Sequence, residues 1–260
     1  MITSTQNPRI KHLLLLQQKS AQRKKDGLFV VEGRRELKHC LAAGYTVRAV
    51  FVCEEIAGTH LSLPQGAELV PVSRNVYERI AYRGGTEGVV ALAETRLTSL
   101  NELHLSASPL IVVLESVEKP GNLGAVLRSA DAAGADAVVV CDPLTDLYNP
   151  NLIRSAVGAL FTMPCVACTT EECITFLKEK SIRILTAQLQ DSHLYYDTPM
   201  SGPTAIVMGT ESTGLTEQWR KAAEAHIRIP MLGRLDSLNV SVSAAILLYE
   251  AVRQRQLCIN

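Results

Sequence analysis

The residues of this chain best suited to chemistry fall in three loops. The first runs from Glu115 to Ala130 and carries Asn122 and Arg128. The second, Met208 to Leu215, holds Gly209, Thr210, Glu211 and Gly214, and the third, Ile229 to Ser241, holds Met231, Ser237, Leu238 and Asn239. Amides and hydroxyls orient a substrate by hydrogen bonds, and a guanidinium stabilises developing negative charge. Glycines let a ligand approach the backbone closely, while Ile, Met and Leu suit the flat face of a heterocycle. Each residue also has a plain structural explanation. Asn122 and Ser237 stand where helices are predicted to begin, which is where N-caps occur, and Arg128 in a second helical turn suits a solvated face. Taken singly, those explanations lead; the joint order of the three loops favours a site.

The elements that must position these loops alternate between helix and strand. Apolar periodicity predicts a helix over residues 7–20, a basic turn over 23–27, a strand over 28–31, a helix over 34–43 and a strand over 47–53. Further strands are expected at 68–71 and 88–93, with Arg83, Gly84, Gly85 and Thr86 as a basic loop between them. Beyond Pro109 the pattern is strand 110–114, helix 122–133 and strand 137–141, a crossover that places two parallel strands in one sheet. A helix at 151–160, a strand at 163–167, a helix at 171–179, strands at 183–187 and 205–208 and a last helix at 238–254 continue it. The expected fold class is α/β, with a small first domain over 1–95, a linker over 96–108 and a mainly parallel second domain over 109–260. Ligands of such sheets sit at the carboxyl ends of strands, where the first two loops begin.

The 260 residues carry 26 basic and 26 acidic side chains, but residues 1–105 hold 14 basic against 10 acidic and residues 106–260 hold 12 against 16. The excess of positive charge is concentrated in residues 1–38, where Arg9, Lys11, Arg23, Lys24 and Lys25 are the candidates for contact with a phosphate backbone. A solvated helix face explains the same charges equally well. The Leu13–Leu16 run is too short for a signal peptide or a membrane span, so a soluble, cytoplasmic protein without a membrane partner is expected. Seven scattered cysteines suit reduced, buried side chains. Cys165 and Cys168 have the spacing of half a zinc site, but no second pair follows, and no metal is expected.

Together the loops resemble the three motifs of the SpoU/TrmH family of RNA ribose methyltransferases, in the SPOUT class. Asn-x-Gly-x-x-x-Arg stands at Asn122 to Arg128, Gly-x-Glu-x-x-Gly-Leu at Gly209 to Leu215, and Ile-Pro-Met followed by Ser-Leu-Asn-Val-Ser at Ile229 to Ser241. The resemblance covers about residues 108–256. A second, shorter one joins Ser4 to Lys11 and Phe29 to Gly33 to the substrate-binding domain, related to ribosomal RNA-binding proteins, of the ribosomal-RNA branch. The resemblance implies a trefoil-knotted catalytic domain and transfer of a methyl group from S-adenosylmethionine to a ribose 2'-hydroxyl of structured RNA, ribosomal in preference to transfer RNA. It further implies a homodimer.

Carried over by position, Met208, Gly209, Thr210, Gly214, Ile229, Met231 and Leu238 would hold the cofactor. Arg128 would act nearest the hydroxyl, with Asn122 and Asn239 positioning ribose or Arg128, and Ser237 and Glu211 bracing the loops. A guanidinium seldom gives up its proton, which favours an electrostatic role for Arg128 over that of a base. A transfer-RNA methyltransferase and a non-catalytic ribosome-assembly factor are the alternatives. A dinucleotide-dependent oxidoreductase is disfavoured because Gly121-Asn-Leu-Gly124 lacks the Gly-x-Gly-x-x-Gly spacing.

Overall fold

The computed structural model describes residues 1–58, 66–82, 87–96, 98–210 and 213–257, the side chain of Leu257 apart. The chain divides into two compact units: Met1–Arg96 with Asp146–Thr162, and Leu97–Thr145 with Met163–Asn260. The units therefore do not follow chain order strictly.

In the first unit the order is α1 (Pro8–Gln18), α2 (Ser20–Asp26), β1 (Leu28–Glu32), α3 (Arg34–Ala42), β2 (Val47–Val52), α4 (Glu54–Ala57), β3 (Glu68–Pro71), α5 (Arg74–Ile80) and β4 (Val89–Glu94). The strands form one sheet in the order β1-β4-β2-β3, antiparallel except for the β2–β3 pair. Asn7 caps α1 by accepting from the Arg9 amide at 2.9 Å. One face of α1, Ile10, Leu13 and Leu16, then packs on Phe51, Val70 and Val90 of one sheet face, with Tyr77 and Ile80 from α5. The expected basic turn at 23–27 is instead the helix α2, which ends at Gly27 in the left-handed conformation at φ 63°.

Helices α7 (Pro150–Ala156) and α8 (Ala159–Thr162) complete this unit. They replace the single helix expected over 151–160, because Val157 and Gly158 take φ of 55° and 93° and break it. Their aromatic residues gather on Phe29: ring centroids of Tyr148 and Phe161 lie 4.4 and 6.1 Å from its own, and Tyr45 meets Phe161 edge-on at 5.4 Å. Arg23 is buried in the same unit. It pairs with Asp146 and donates to the Leu16 carbonyl at 2.5 Å, so it is withdrawn from the phosphate contacts expected of it.

The second unit contains β5 (Leu110–Glu115), α6 (Pro120–Ala132), β6 (Ala137–Cys141), β7 (Cys165–Cys168), α9 (Thr170–Glu179), β8 (Arg183–Ala187), β9 (His193–Leu194), β10 (Thr204–Met208), α10 (Glu217–Ala222), β11 (Ala225–Arg228) and α11 (Val240–Leu257). Its seven strands lie in the order β7-β6-β5-β10-β8-β11-β9, and every described pairing is parallel. The α/β class and the parallel sheet expected from sequence are thus observed. Strands β5, β6 and β10 are buried along their whole length, which explains their unbroken runs of Val, Ile and Leu. From β5 the chain moves outward through β6 and β7, crosses to the other side of the sheet as β8 and β9, and then inserts β10 between β5 and β8. That reversal is a topological switch point, where crevices open beyond the carboxyl ends of strands.

Helix α11 packs along α6 and is clamped at its far end. The Arg255 guanidinium donates to the carbonyls of Met200 (3.1 Å), Ser108 (2.6 Å), Pro109 (3.1 Å) and Gly202 (2.8 Å). Burial lowers its pKa, the Asp136 carboxylate opposing that shift. Two strand entrances, before β5 and β10, are thereby tied to one helix.

Candidate active site

Two cavities open at the switch point. The larger, about 370 Å³, begins at the ends of β8 and β10, at Ala187 and Met208, and is closed by the segments after Leu215 and β11. The smaller, about 120 Å³, lies between Val117 to Lys119, Asn122 and the start of α11. Gly209, Thr210 and Val240 line both, so the two are contiguous.

All of the residues assigned to the cofactor line the larger cavity: Met208, Gly209, Thr210 and Gly214 on the loop after β10, and Ile229, Met231 and Leu238 after β11. Ser237 stands on the same wall and donates to Asp236 at 3.3 Å. The loop from Gly209 folds back on itself. The Thr210 hydroxyl meets that of Thr213 at 2.7 Å, and the Gly214 amide donates to the Thr210 carbonyl at 3.1 Å. A Cβ at Gly209 would lie 2.3 Å from the Gly214 carbonyl carbon and oxygen. Its glycine is therefore required first by the turn, and the approach of a ligand is a second use of the same bare backbone. Glu211 lies outside the described residues.

Asn122 and Asn239 come together in space. Asn239 accepts at Oδ1 from the Ser241 amide (3.0 Å) and hydroxyl (2.7 Å), and its Nδ2 donates to Asn122 Oδ1 at 3.1 Å. Asn239 is thus the cap of α11, in place of Ser237, and the helix starts at Val240, two residues later than expected. Asn122 is not a cap either. Lys119 holds the N-cap position of α6, and Asn122 stands at the third residue inside. Two helix N-termini therefore converge on the smaller cavity, with the positive ends of their dipoles. Arg128 is exposed further along α6, lines neither cavity, and makes no hydrogen bond or ion pair among the described residues.

Sequence reasoning missed two polar residues of the larger cavity. Gln188 follows β8 directly, and Arg220 lies on α10. Gln188 Oε1 and Arg220 Nε are buried and have no partner among the described residues. Buried polar atoms without partners are costly, and here they belong to residues lining the space a ligand would fill. The signal for Gln188 was its position at a strand's carboxyl end; Arg220 had none. With Met208, Leu215, Ile227, Ile229 and Met231 supplying apolar wall, the cavity suits a molecule with a flat apolar part and polar ends. S-adenosylmethionine has that character, so the residues present fit it.

On the basic face, Lys11, Lys24 and Lys25 are exposed, whereas Arg9 forms a two-pronged ion pair with Glu68, both bonds 2.7 Å. No helix among the described residues is long and apolar enough to cross a membrane.

Comparison with known proteins agrees with this geometry. A family model described as the SpoU rRNA Methylase family matches residues 109–249, and one described as the MRM3-like substrate binding domain matches residues 7–91. The chain is 28% identical over 248 residues to the 23S rRNA (guanosine(2553)-2'-O)-methyltransferase RlmP of Bacillus subtilis (strain 168), covering 95% of this chain and 97% of that one. It is 36% identical over 197 residues to the 23S rRNA (guanosine-2'-O-)-methyltransferase RlmB of Vibrio vulnificus (strain CMCP6), covering 73% and 79%. Among solved structures, an RNA 2'-O ribose methyltransferase superposes with a TM-score of 0.84 at 40% identity, over 98% of this chain and 99% of that one. An AdoMet-bound rRNA methyltransferase from Sinorhizobium meliloti superposes with a TM-score of 0.88 at 28% identity, over 97% of each. By its motifs, its cleft at the switch point and these matches, the chain belongs to the SpoU rRNA methylase family of S-adenosylmethionine-dependent RNA ribose 2'-O-methyltransferases.

Proposed function

We propose that the substrate is ribosomal RNA and that the chain methylates a guanosine 2'-hydroxyl of its large-subunit RNA. The likeness to relatives that act on 23S rRNA guanosines carries the substrate, and the pair of contiguous cavities, a long one with apolar walls and a small one bounded by two helix N-termini, supports the methyl transfer itself. The cofactor supplies a methyl group on a sulfonium, held by the loops after β8, β10 and β11. Gln188 and Arg220 answer its polar ends, Arg220 matching a carboxylate and Gln188 Oε1 an ammonium. The smaller cavity takes the ribose and its phosphate, because the positive ends of two helix dipoles and the charged Lys119 side chain favour an anion.

The Asn122–Asn239 bond fixes the ribose wall by locking the starts of α6 and α11 to each other. Arg128 then orients the phosphate and stabilises the hydroxyl oxygen as it loses its proton. Because Arg128 lies on the outer surface of α6, its reach to the hydroxyl is completed by RNA and a second subunit. Support for that subunit comes from exposed apolar side chains on the same unit: Leu232, Leu235, Leu238, Val242 and Tyr249. A symmetric pair would cover them. The loops that contribute residues 188–190, 208–210, 213–215, 227–229, 231 and 236–238 to one cavity are also the segments through which a trefoil knot would thread.

RNA affinity is assigned to residues 1–95, with Lys11, Lys24 and Lys25 on phosphates, and chemistry to 109–260. Relatives that act on 23S rRNA guanosines favour the same substrate class here, and with it a cytoplasmic location. Labelled methyl transfer from S-adenosylmethionine into 23S and transfer RNA lacking the modification tests the reading. Label mapped to a 2'-O-methylguanosine of 23S rRNA supports it; label confined to transfer RNA, or to a base, contradicts it.

A further inference from the structure

We propose that Cys168 and Cys173 form an oxidisable dithiol, in which Cys168 reacts first with a hydroperoxide and Cys173 closes a disulfide. Three cysteines meet at one edge of the parallel sheet: Cys141 ends β6, Cys168 ends β7 in register with it, and Cys173 lies in α9. Their sulfurs all lie within 4.8 Å of one another. The Cys-x-x-Cys spacing misleads here, since Cys165 is not in the group and Cys141 comes from another strand. Cys141 and Cys173 are fully buried, whereas Cys168 is reached by solvent. None of the three lines the cofactor cavity.

The local fold brings Cys168 and Cys173 together. Thr169 caps α9 in a reciprocal box with Glu172: the Glu172 amide donates to the Thr169 hydroxyl at 3.2 Å, and Glu172 accepts from the Thr169 amide at 2.8 Å. Cys168 therefore precedes the cap and Cys173 is the fourth helical residue. Those are the two positions whose side chains pack across a helix start, normally as an apolar pair.

Charge distribution decides which thiol reacts. The neighbouring thiols of Cys141, chiefly, and Cys173 hold the Cys168 pKa well below the usual thiol value, while burial, Glu172 and Asp142 oppose that shift. The Cys141 pKa is raised, first because its proton is shared with Cys168. The lowered pKa thus belongs to the one cysteine of the three that is partly exposed, beside a helix N-terminus, and a thiolate is the reactive form. Cys173 is a better second partner than Cys141. It stands fourth in α9, directly across the helix start from Cys168, where the two side chains pack on each other.

The chemistry balances with hydrogen peroxide as oxidant. The Cys168 thiolate attacks one peroxide oxygen, the O–O bond breaks, and the departing hydroxide takes a proton as water, leaving a sulfenic acid. The Cys173 sulfur then attacks the Cys168 sulfur, the S–O bond breaks, and hydroxide leaves with the Cys173 proton as a second water. Two thiols lose two electrons and one peroxide gains them.

The test uses the full chain, reduced, freed of reductant and treated with equimolar hydrogen peroxide. Remaining thiols are alkylated, and the protein is cut with a Glu-specific protease, which cleaves between Cys168 and Cys173 at Glu171 and Glu172. The expected product is two fragments joined by a Cys168–Cys173 bond, formed at least tenfold faster than oxidation of Cys40 or Cys53. Cys173→Ala should stop at a Cys168 sulfenic acid trapped by dimedone, and Cys141→Ala should still form the bond. Oxidation of Cys168 no faster than of Cys40, or a bond to Cys141 or Cys165, overturns the proposal. So does one equivalent of zinc retained by the purified protein that shields all three thiols, which would make the cluster a metal site.

Discussion

The four-stranded and seven-stranded sheets of this chain bury their strands equally well, and it is at the edge of the seven-stranded one that a reaction vessel opens. In the mixed sheet, β1, β4 and β2 run antiparallel and both faces are filled, one by α1 and α5 and the other by the Phe29 aromatic cluster. In the parallel sheet all carboxyl ends lie on one edge, and the crossing of the chain from β7 to β8, on the other side of β5, parts the loops there. Cofactor binding and catalysis follow from the parallel arrangement. The basic surface of the other unit, with Lys11, Lys24 and Lys25 exposed, suits a reader of RNA.

The sharpest way to break that comparison is at Phe29 and at Arg128. Phe29→Ala should cost the first unit about 3–5 kcal/mol, seen as a lowered unfolding midpoint, while S-adenosylmethionine affinity in calorimetry stays within twofold below that midpoint. Loss of cofactor binding at temperatures where the unit remains folded would deny the separation. Arg128→Ala should lower turnover on the order of 10²–10³-fold, again without changing cofactor affinity. Wild-type turnover would remove Arg128 from the mechanism.

Smaller effects sharpen the picture within the parallel unit. Gly209→Ala forces its Cβ into the Gly214 backbone, a clash worth about 1–3 kcal/mol. Cofactor affinity should fall roughly tenfold as the loop shifts, and unchanged calorimetry would show that the loop is not the cofactor's seat. The Asn122–Asn239 bond predicts a coupling of about 0.5–3 kcal/mol between Asn122→Ala and Asn239→Ala in a double-mutant cycle on kcat/KM. Strict additivity would mean that the two amides act separately.

Much of this was legible in the sequence, and the exceptions have physical causes. The Val- and Ile-rich runs at 110–114, 137–141 and 205–208 announce buried parallel strands, and the three motifs in order at 122–128, 209–215 and 229–241 announce the cavity. Short elements escaped. Strand β9 has two residues, too few to show a period of two, and β11 buries only Ile227 along its four. The helix break at Val157 depends on a non-glycine residue in the left-handed region, which no pattern marks. Asn122 and Asn239 were legible as site residues, but which of them caps a helix depends on a bond between positions 117 residues apart. Arg23 looked like its neighbours Lys24 and Lys25 because its partner, Asp146, lies 123 residues away.

The division of labour is tested most directly in the full chain, since removing residues 1–95 would strip Tyr148 and Phe161 of their partner Phe29. Lys11, Lys24 and Lys25 are replaced together by Gln, RNA affinity is measured at several salt concentrations, and S-adenosylmethionine affinity is measured by calorimetry. The account predicts that the slope of log affinity against log salt falls by about 0.7–0.9 for each phosphate no longer neutralised, roughly two units in all, with cofactor affinity unchanged. An unchanged salt slope, with RNA bound as tightly as by the wild type, would contradict it.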